Sequence, residues 1–237
     1  MTSNSESVVA LLPMRGGSER VRNKNLRLLA DRPLYTYMLD TLLDLDFCQE
    51  VFVDTDSDAI EAAVRSTHPD VRVYRRPVSL GSGDTPMTDV ILDFLGNFSF
   101  DRVLQVHSTS PFLCSSSLKS AYKVLRSDPG CDSVFSVTSL QARLWTEELA
   151  PINHNPAFLE RTQDLSPILL ENSGFYLLNS DVIRATRNRI GRSPKAVRIN
   201  TLEALDIDTE DDFNLAQFVA TGLNLRNPAI KNGGGRG

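Results

Sequence analysis

The stretch VVALLPMRGGSERVRNKN, residues 8–25, decides the architecture. Its first third is an uninterrupted apolar run, the pattern of a strand covered on both faces. Two glycines and the cations Arg15, Arg20, Arg22 and Lys24 follow at once. A basic cluster runs against the average of this chain, whose formal net charge is −5 and whose pI is about 5.3. An overall acidic balance argues against a nucleic-acid coat or a polybasic membrane patch, so any anion site is local. Read alone, such a loop is either a solvated basic surface or an anion cradle.

The rest of the chain repeats the strand–loop–helix alternation. Strands are expected at 50–55, 71–77, 131–140, 174–179 and 195–200, and residues 101–111 read as a strand running into a polar loop. Apolar residues recur at helical spacing over 33–46, 57–67, 86–98, 115–128 and 209–223, with another helix starting at Ser180. Alternation of this kind predicts an α/β fold, a mostly parallel sheet with helices on both faces. The rhythm breaks over about residues 141–170, where three prolines and weak periodicity predict an arm inserted into the domain. One domain is expected over residues 1–224, and a flexible tail over 225–237.

The 237 residues carry 41% hydrophobic and 23% charged residues, ordinary for a globular domain. Three cysteines without CxxC or Cys/His spacing predict free thiols in a reducing compartment. The start MTSNSESVV has no basic segment of the signal-peptide kind, and no uncharged run reaches the length of a membrane span. A cytoplasmic protein is expected.

In an open parallel sheet, ligands bind beyond the carboxyl ends of the strands. Gly16 and Gly17 let backbone N–H groups approach an anion there, with Arg15 and Lys24 adding charge. The loop matches neither GxxxxGK[ST] nor GxGxxG. In LDIDTEDDF (205–213), burial of Leu205 and Ile207 puts Asp206 and Asp208 together on the opposite face. Paired carboxylates beside a polyphosphate suit Mg²⁺. The competing reading makes Asp208 or Thr209 the cap of an acidic helix start. His107 admits two roles, an acid/base or substrate contact and a packed, hydrogen-bonded ring.

Taken in order, PMRGGSERVRNKN, RRP followed by GSGDT, Gln105 before STSP, ENSGFYLL and LDIDTEDDF resemble the cytidylyltransferases that activate sialic and related nonulosonic acids. The resemblance covers about residues 8–220. It implies a Rossmann-like, nucleotide-diphospho-sugar transferase-like fold and a homodimer joined through the arm. It also implies transfer from CTP to a small acidic sugar, giving a CMP-sugar and pyrophosphate, with Mg²⁺ as cofactor and no nucleic-acid or membrane partner. By the same resemblance Arg15, Gly16, Gly17, Ser18, Lys24, Asn25, Arg76, Thr88 and Gln105 fall on nucleotide-binding positions. Arg15, Lys24, Asp206 and Asp208 are the catalytic set, the two aspartates holding metal. Gln105, His107, Arg143, Arg161, Gln163 and Asn172 are expected to meet the acidic substrate. The chain departs from the family pattern at His107, where a proline is usual, and at Trp145 and Leu170, where cations are expected. Those departures keep two alternatives open: another small acid, such as 3-deoxy-octulosonate or a phosphonate, and a nucleotide-binding module without turnover.

Overall fold

The computed structural model describes residues 6–17 and 20–223. Ser18 and the expected tail therefore lie outside the described residues. One seven-stranded sheet organises the chain. Its strands are β1 (Val8–Met14), β4 (Glu50–Thr55), β5 (Arg72–Arg75), β6 (Arg102–Val106), β7 (Ser133–Leu140), β8 (Ile168–Asn179) and β9 (Pro194–Arg198), in the order β5-β4-β1-β6-β8-β7-β9. Two short strands, β2 (Leu28–Leu29) and β3 (Arg32–Pro33), form a separate hairpin. Its turn residues Ala30 and Asp31 both have positive φ, the backbone that a tight two-residue hairpin requires.

β1 pairs in parallel with both β4 and β6, which makes it a central strand, and all seven of its residues are buried. Two helical layers cover it. On one face Val8, Ala10 and Leu12 pack with residues of α1 (Leu34–Leu43), α2 (Asp58–Thr67) and α4 (Ser115–Ser127). On the other, Val9 and Leu11 meet Phe52, Val103 and residues of α3 (Met87–Asn97) and α5 (Ser180–Thr186). Alternation along a two-sided strand thus feeds two cores at once. α2 starts where the sequence places it, with the Ser57 side chain accepting from the Ile60 amide.

β8 is the exception to the parallel rule. It runs antiparallel to β6 on one side and to β7 on the other. It also begins at Ile168 rather than at Gly174, because residues 168–171 pair with 137–140 of β7. The last residues of the expected irregular segment are therefore strand. The remainder, 141–167, folds back on itself through local contacts. These include a Trp145–Pro151 bridge and the edge-on packing of Trp145 against His154 at 4.6 Å.

The topology reverses at β1: the chain moves outward to β4 and β5, then returns to β6 on the other side. Loops leaving β1 and β6 diverge there and leave a crevice. A third apolar cluster closes its floor. Ile207, fully buried, packs with Val21, Leu29, Phe112 and with Phe213 of α6 (Glu210–Gly222). Arg27 reinforces the junction, lying 3.9 Å over the Phe213 ring and pairing with Glu210. Among the described residues no helix is long and apolar enough to cross a membrane.

Candidate active site

A cleft of about 370 Å³ occupies the crevice between the β1 and β6 loops. Arg15, Lys24, Asn25, Arg76, His107, Asp206 and Asp208 all line it, so seven sequence-expected residues from four separate segments meet in one place.

The β1 loop supplies the cations. Arg15 opens the loop, and its carbonyl accepts from Asn25 Nδ2 at 3.2 Å. Asn25 is buried and accepts in turn from Ser108 Oγ at 2.6 Å, which ties the β1 loop to the β6 loop. Lys24 Nζ donates to the Ile207 carbonyl at 2.6 Å and lies 3.5 Å from Asp208 Oδ1. Arg20 reaches the same oxygen at 3.3 Å.

The carboxylates come from 206–208. The Ile207 amide donates to the Thr109 carbonyl at 2.9 Å, holding this segment extended along the β6 loop. With Ile207 sunk into the apolar floor, both neighbours face the cleft, as period-two geometry requires. The cap of α6 is Thr209, in a reciprocal box with Asp212. Asp208 contributes only its backbone amide to that box, and its carboxylate remains available to the cleft. Burial raises the Asp206 pKa above the usual carboxylate range, partly offset by a bond from Thr109, while Asp208 raises it further. Asp206 Oδ1 is buried without a hydrogen-bond partner. An orphaned carboxylate oxygen beside a second carboxylate fits a hard divalent cation. No group of three His, Cys, Asp or Glu suited to a metal occurs among the described residues, so further oxygens would come from phosphate or water.

Other expected residues stand elsewhere. Gly16 and Gly17 do not line the cleft. The Gly16 amide donates to Asp56 Oδ1 at 2.7 Å, and a Cβ there would lie 2.9 Å from Ser57 Cβ. Close packing against the end of β4 thus explains this glycine. Arg76 does line the cleft, but its guanidinium is engaged from behind. Nε bonds Asp54 Oδ1 at 2.7 Å and Nη2 the Asp54 carbonyl at 2.8 Å. Thr88, in the first turn of α3, is not a lining residue.

Gln105 is fully buried beneath the cleft. Its Oε1 accepts from Arg189 Nη1 at 3.0 Å, while Nε2 donates to the Val106 carbonyl at 3.0 Å and to His107 Nε2 at 2.9 Å. It positions neighbours instead of facing a ligand. Asn172 is similarly absorbed by the β7–β8 irregularity, accepting from Ser136 Oγ at 2.6 Å and donating to Thr138 Oγ1 at 2.7 Å. In the arm, Arg143 is bonded to the Glu160 carbonyl, Arg161 pairs with Asp164, and the Gln163 carbonyl accepts from Gln141. None of these three lines the cleft.

The cleft also contains residues that sequence reasoning missed: Arg189, Ser108, Thr109 and Ser173. Ser108 and Thr109 sit inside the quoted STSP segment and were within reach. Arg189 was not, because it is one of several arginines after α5 with no distinguishing pattern.

His107 is the remaining titratable lining group. Desolvation, then the Arg189 and Lys24 charges, lower its pKa to about 4. It is therefore neutral at pH 7. The Gln105 amide occupies its Nε2 lone pair, which assigns the proton to Nδ1. The ring can donate a hydrogen bond, but it holds no spare proton for acid catalysis.

Cations from one loop thus face carboxylates from another at the switch point of a mostly parallel sheet, where such folds bind ligands. Residues 9–223 match the family described as Cytidylyltransferase, and the chain belongs to that family. It is 28% identical over 221 residues to N-acylneuraminate cytidylyltransferase A of Danio rerio, covering 90% of this chain and 50% of that protein. It is also 28% identical to the CMP-N,N'-diacetyllegionaminic acid synthase of Legionella pneumophila, covering 89% and 94%. The chain thus spans about half the length of the Danio protein but nearly all of the Legionella one. Among solved structures, a CMP:2-keto-3-deoxy-manno-octonic acid synthetase complexed with CTP superposes with a TM-score of 0.71. It is 14% identical, and the match covers 92% of this chain and 99% of that one.

Two measurements follow from the geometry. Imidazole ¹⁵N spectra of the folded protein should show the Nδ1–H tautomer for His107 and no titration between pH 5.5 and 8. An inflection near pH 6.5 would contradict the neutral ring. Separately, Thr209→Ala removes a helix cap and should cost about 1 kcal/mol of stability, read by denaturant unfolding, while Asp208→Asn should leave unfolding nearly unchanged.

Proposed function

We propose that this chain transfers a cytidylyl group from CTP to a hydroxyl of an acidic sugar, a sialic acid or a related nonulosonic acid. The observation that carries the reading is the meeting of Arg15, Arg20 and Lys24 with Asp206 and Asp208 in one cleft, in a chain of the cytidylyltransferase family. The names of the Danio and Legionella relatives support the choice of acid.

In this reading the sugar hydroxyl attacks the α-phosphorus of CTP, an ester bond forms, the α–β phosphoanhydride bond breaks, and the hydroxyl proton is released to water. Pyrophosphate leaves toward Arg15 and Lys24, which carry the charge complementary to it. Arg76, fixed by Asp54, adds a cation on the β5 side. Asn25 holds the β1 loop against the β6 loop and so fixes the distance between nucleotide and acceptor. His107 donates from Nδ1 and keeps the site free of an extra positive charge. Asp206 and Asp208 would hold Mg²⁺. When bound, Mg²⁺ supplies neutralisation of the α-phosphate charge, the largest electrostatic demand of the reaction. Positioning and charge carry the catalysis, and no covalent nucleophile is required.

We assign the chain as a homodimer joined through the arm. Leu149, Phe158 and Leu159 are 76%, 73% and 69% exposed there. Such a run of exposed large apolar residues on a single segment wants a covering surface.

The reaction is tested by pyrophosphate release. Four nucleoside triphosphates are assayed against N-acetylneuraminate, N,N'-diacetyllegionaminate, 3-deoxy-octulosonate and a phosphonate. Turnover is expected with CTP and a nonulosonic acid; turnover confined to the phosphonate, or equal use of ATP, would overturn the assignment. Asp206→Asn and Asp208→Asn should each lower turnover roughly 10²-fold or more at saturating Mg²⁺. Near-normal rates in both would remove the metal role. Light scattering should give twice the 26.3 kDa chain mass, and Phe158→Asp with Leu159→Asp should return it to one chain. A single-chain mass for the unmodified protein at micromolar concentration would refute the dimer.

A further inference from the structure

Arg189 is a cation that the cytidylyl-transfer reading above leaves unused. It lines the cleft beside His107 and Ser173. Its guanidinium lies 4.1 Å over the Tyr176 ring and donates through Nη1 to Gln105 Oε1. Among the described residues no carboxylate oxygen lies within 4.0 Å of it. Its neighbours in sequence behave differently: Arg184 pairs with Asp181 and Arg187 with Asp89.

The fold holds this side chain rigidly. Gln105 and Tyr176 stand directly opposite each other across the β6–β8 ladder, so both present to the same face of the sheet. The turn after Arg189 is fastened to the start of β7. The Gly191 amide donates to Ser133 Oγ at 2.8 Å, and the Arg192 and Ser193 amides donate to the two Asp132 oxygens at 2.7 and 3.0 Å. A Cβ at position 191 would lie 2.1 Å from Asp132 Oδ1, so only glycine lets the turn close on that carboxylate.

Position separates Arg189 from the other cations. Arg15 and Lys24 leave β1 on one side of β6, whereas Arg189 sits over β8 on the other. The cleft therefore has two positive poles with His107 between them. The β1 pole matches a triphosphate. An amide oxygen and an aromatic face leave the charge of the second pole unneutralised, and a fixed guanidinium with free N–H groups is built for a planar carboxylate.

We propose that Arg189 is the receptor for the carboxylate of the acidic sugar, which makes it the residue that selects acids at this site. The assignment rests on the cytidylyl-transfer reading. Its test compares the wild type with Arg189→Met, which keeps length and stacking but no charge, and with Arg189→Lys. The probe is N-acetylneuraminate, or whichever sugar acid of the panel the wild type turns over, beside the same sugar with a C1 carboxamide. The wild type should prefer acid to amide by roughly 10²-fold in kcat/KM. Arg189→Met should raise the KM for the acid by a similar factor, leave the KM for CTP within twofold, and abolish the acid-over-amide preference. Arg189→Lys should restore part of that preference. If Arg189→Met discriminates as well as the wild type, or raises both KM values together, the assignment fails and the residue is structural. If Arg189→Met does not fold, Arg189→Lys decides alone, because an unchanged acid-over-amide ratio there also overturns bidentate recognition. A wild type that releases no pyrophosphate with any acid overturns the transfer reaction itself, and the assignment with it.

Discussion

Everything in the cleft depends on the burial of Ile207. Two carboxylates and several cations, separated by about 180 residues of chain, must be held together without collapsing onto one another. Burying one isoleucine in the cluster of Val21, Leu29, Phe112 and Phe213 fixes the extended segment 206–208 against the β1 loop. Removing such a side chain from water is worth roughly 1.5–3 kcal/mol, more than an exposed ion pair contributes. The apolar contact therefore sets the geometry, and the Arg20, Lys24 and Asp208 charges follow it. Were the order reversed, salt-sensitive surface pairs would have to position the site.

A second constraint runs through buried amides. Asn25 and Gln105 are both polar residues at the edges of the cleft, and neither points an unsatisfied group into it. Asn25 locks two loops together. Gln105 fixes the orientation of His107 and Arg189 with one amide, since its oxygen takes the arginine and its nitrogen the imidazole. A buried amide holds its neighbours rigidly only when its own oxygen and nitrogen are both satisfied, as those of Asn25 and Gln105 are. Rigidity matters for a reaction that relies on placing preorganised charge around a phosphorus centre.

The same logic explains the electrostatic balance. Asp54 is fully buried against Arg76, and desolvation raises its pKa to about 6 despite the cation. Asp206 is raised for the same reason, and His107 is driven the other way. The sheet end thus disfavours isolated charge of either sign. Charge persists where a partner or solvent supports it, which concentrates the free cationic field on the β1 loop and on Arg189.

The sequence by itself determined the order of the seven sheet strands and six helices, though not the β2–β3 hairpin, together with the two-sided burial of β1, the cap at Ser57 and the acidic pair at 206 and 208. Each of these is a local pattern: an apolar period, a capping side chain, or a two-residue alternation. Tertiary structure decided what local pattern does not encode. The direction of β8 and its start at Ile168 depend on pairing with β6 and β7, so residues with strand-forming character inside a proline-rich segment gave no signal. Gln105 and Asn172 have the composition of ligand contacts, yet their side chains are consumed by buried neighbours. Thr209, and not Asp208, caps α6: its side chain accepts from the Asp212 amide, while the Asp208 carboxylate turns to Arg20 and Lys24 across the cleft. Arg189 resembles the arginines around it in every property a sequence records. It differs only because the β6–β8 register places Gln105 and Tyr176 beneath it while Asp132 draws the following turn inward, and long-range contacts of that kind leave no trace in the neighbouring residues.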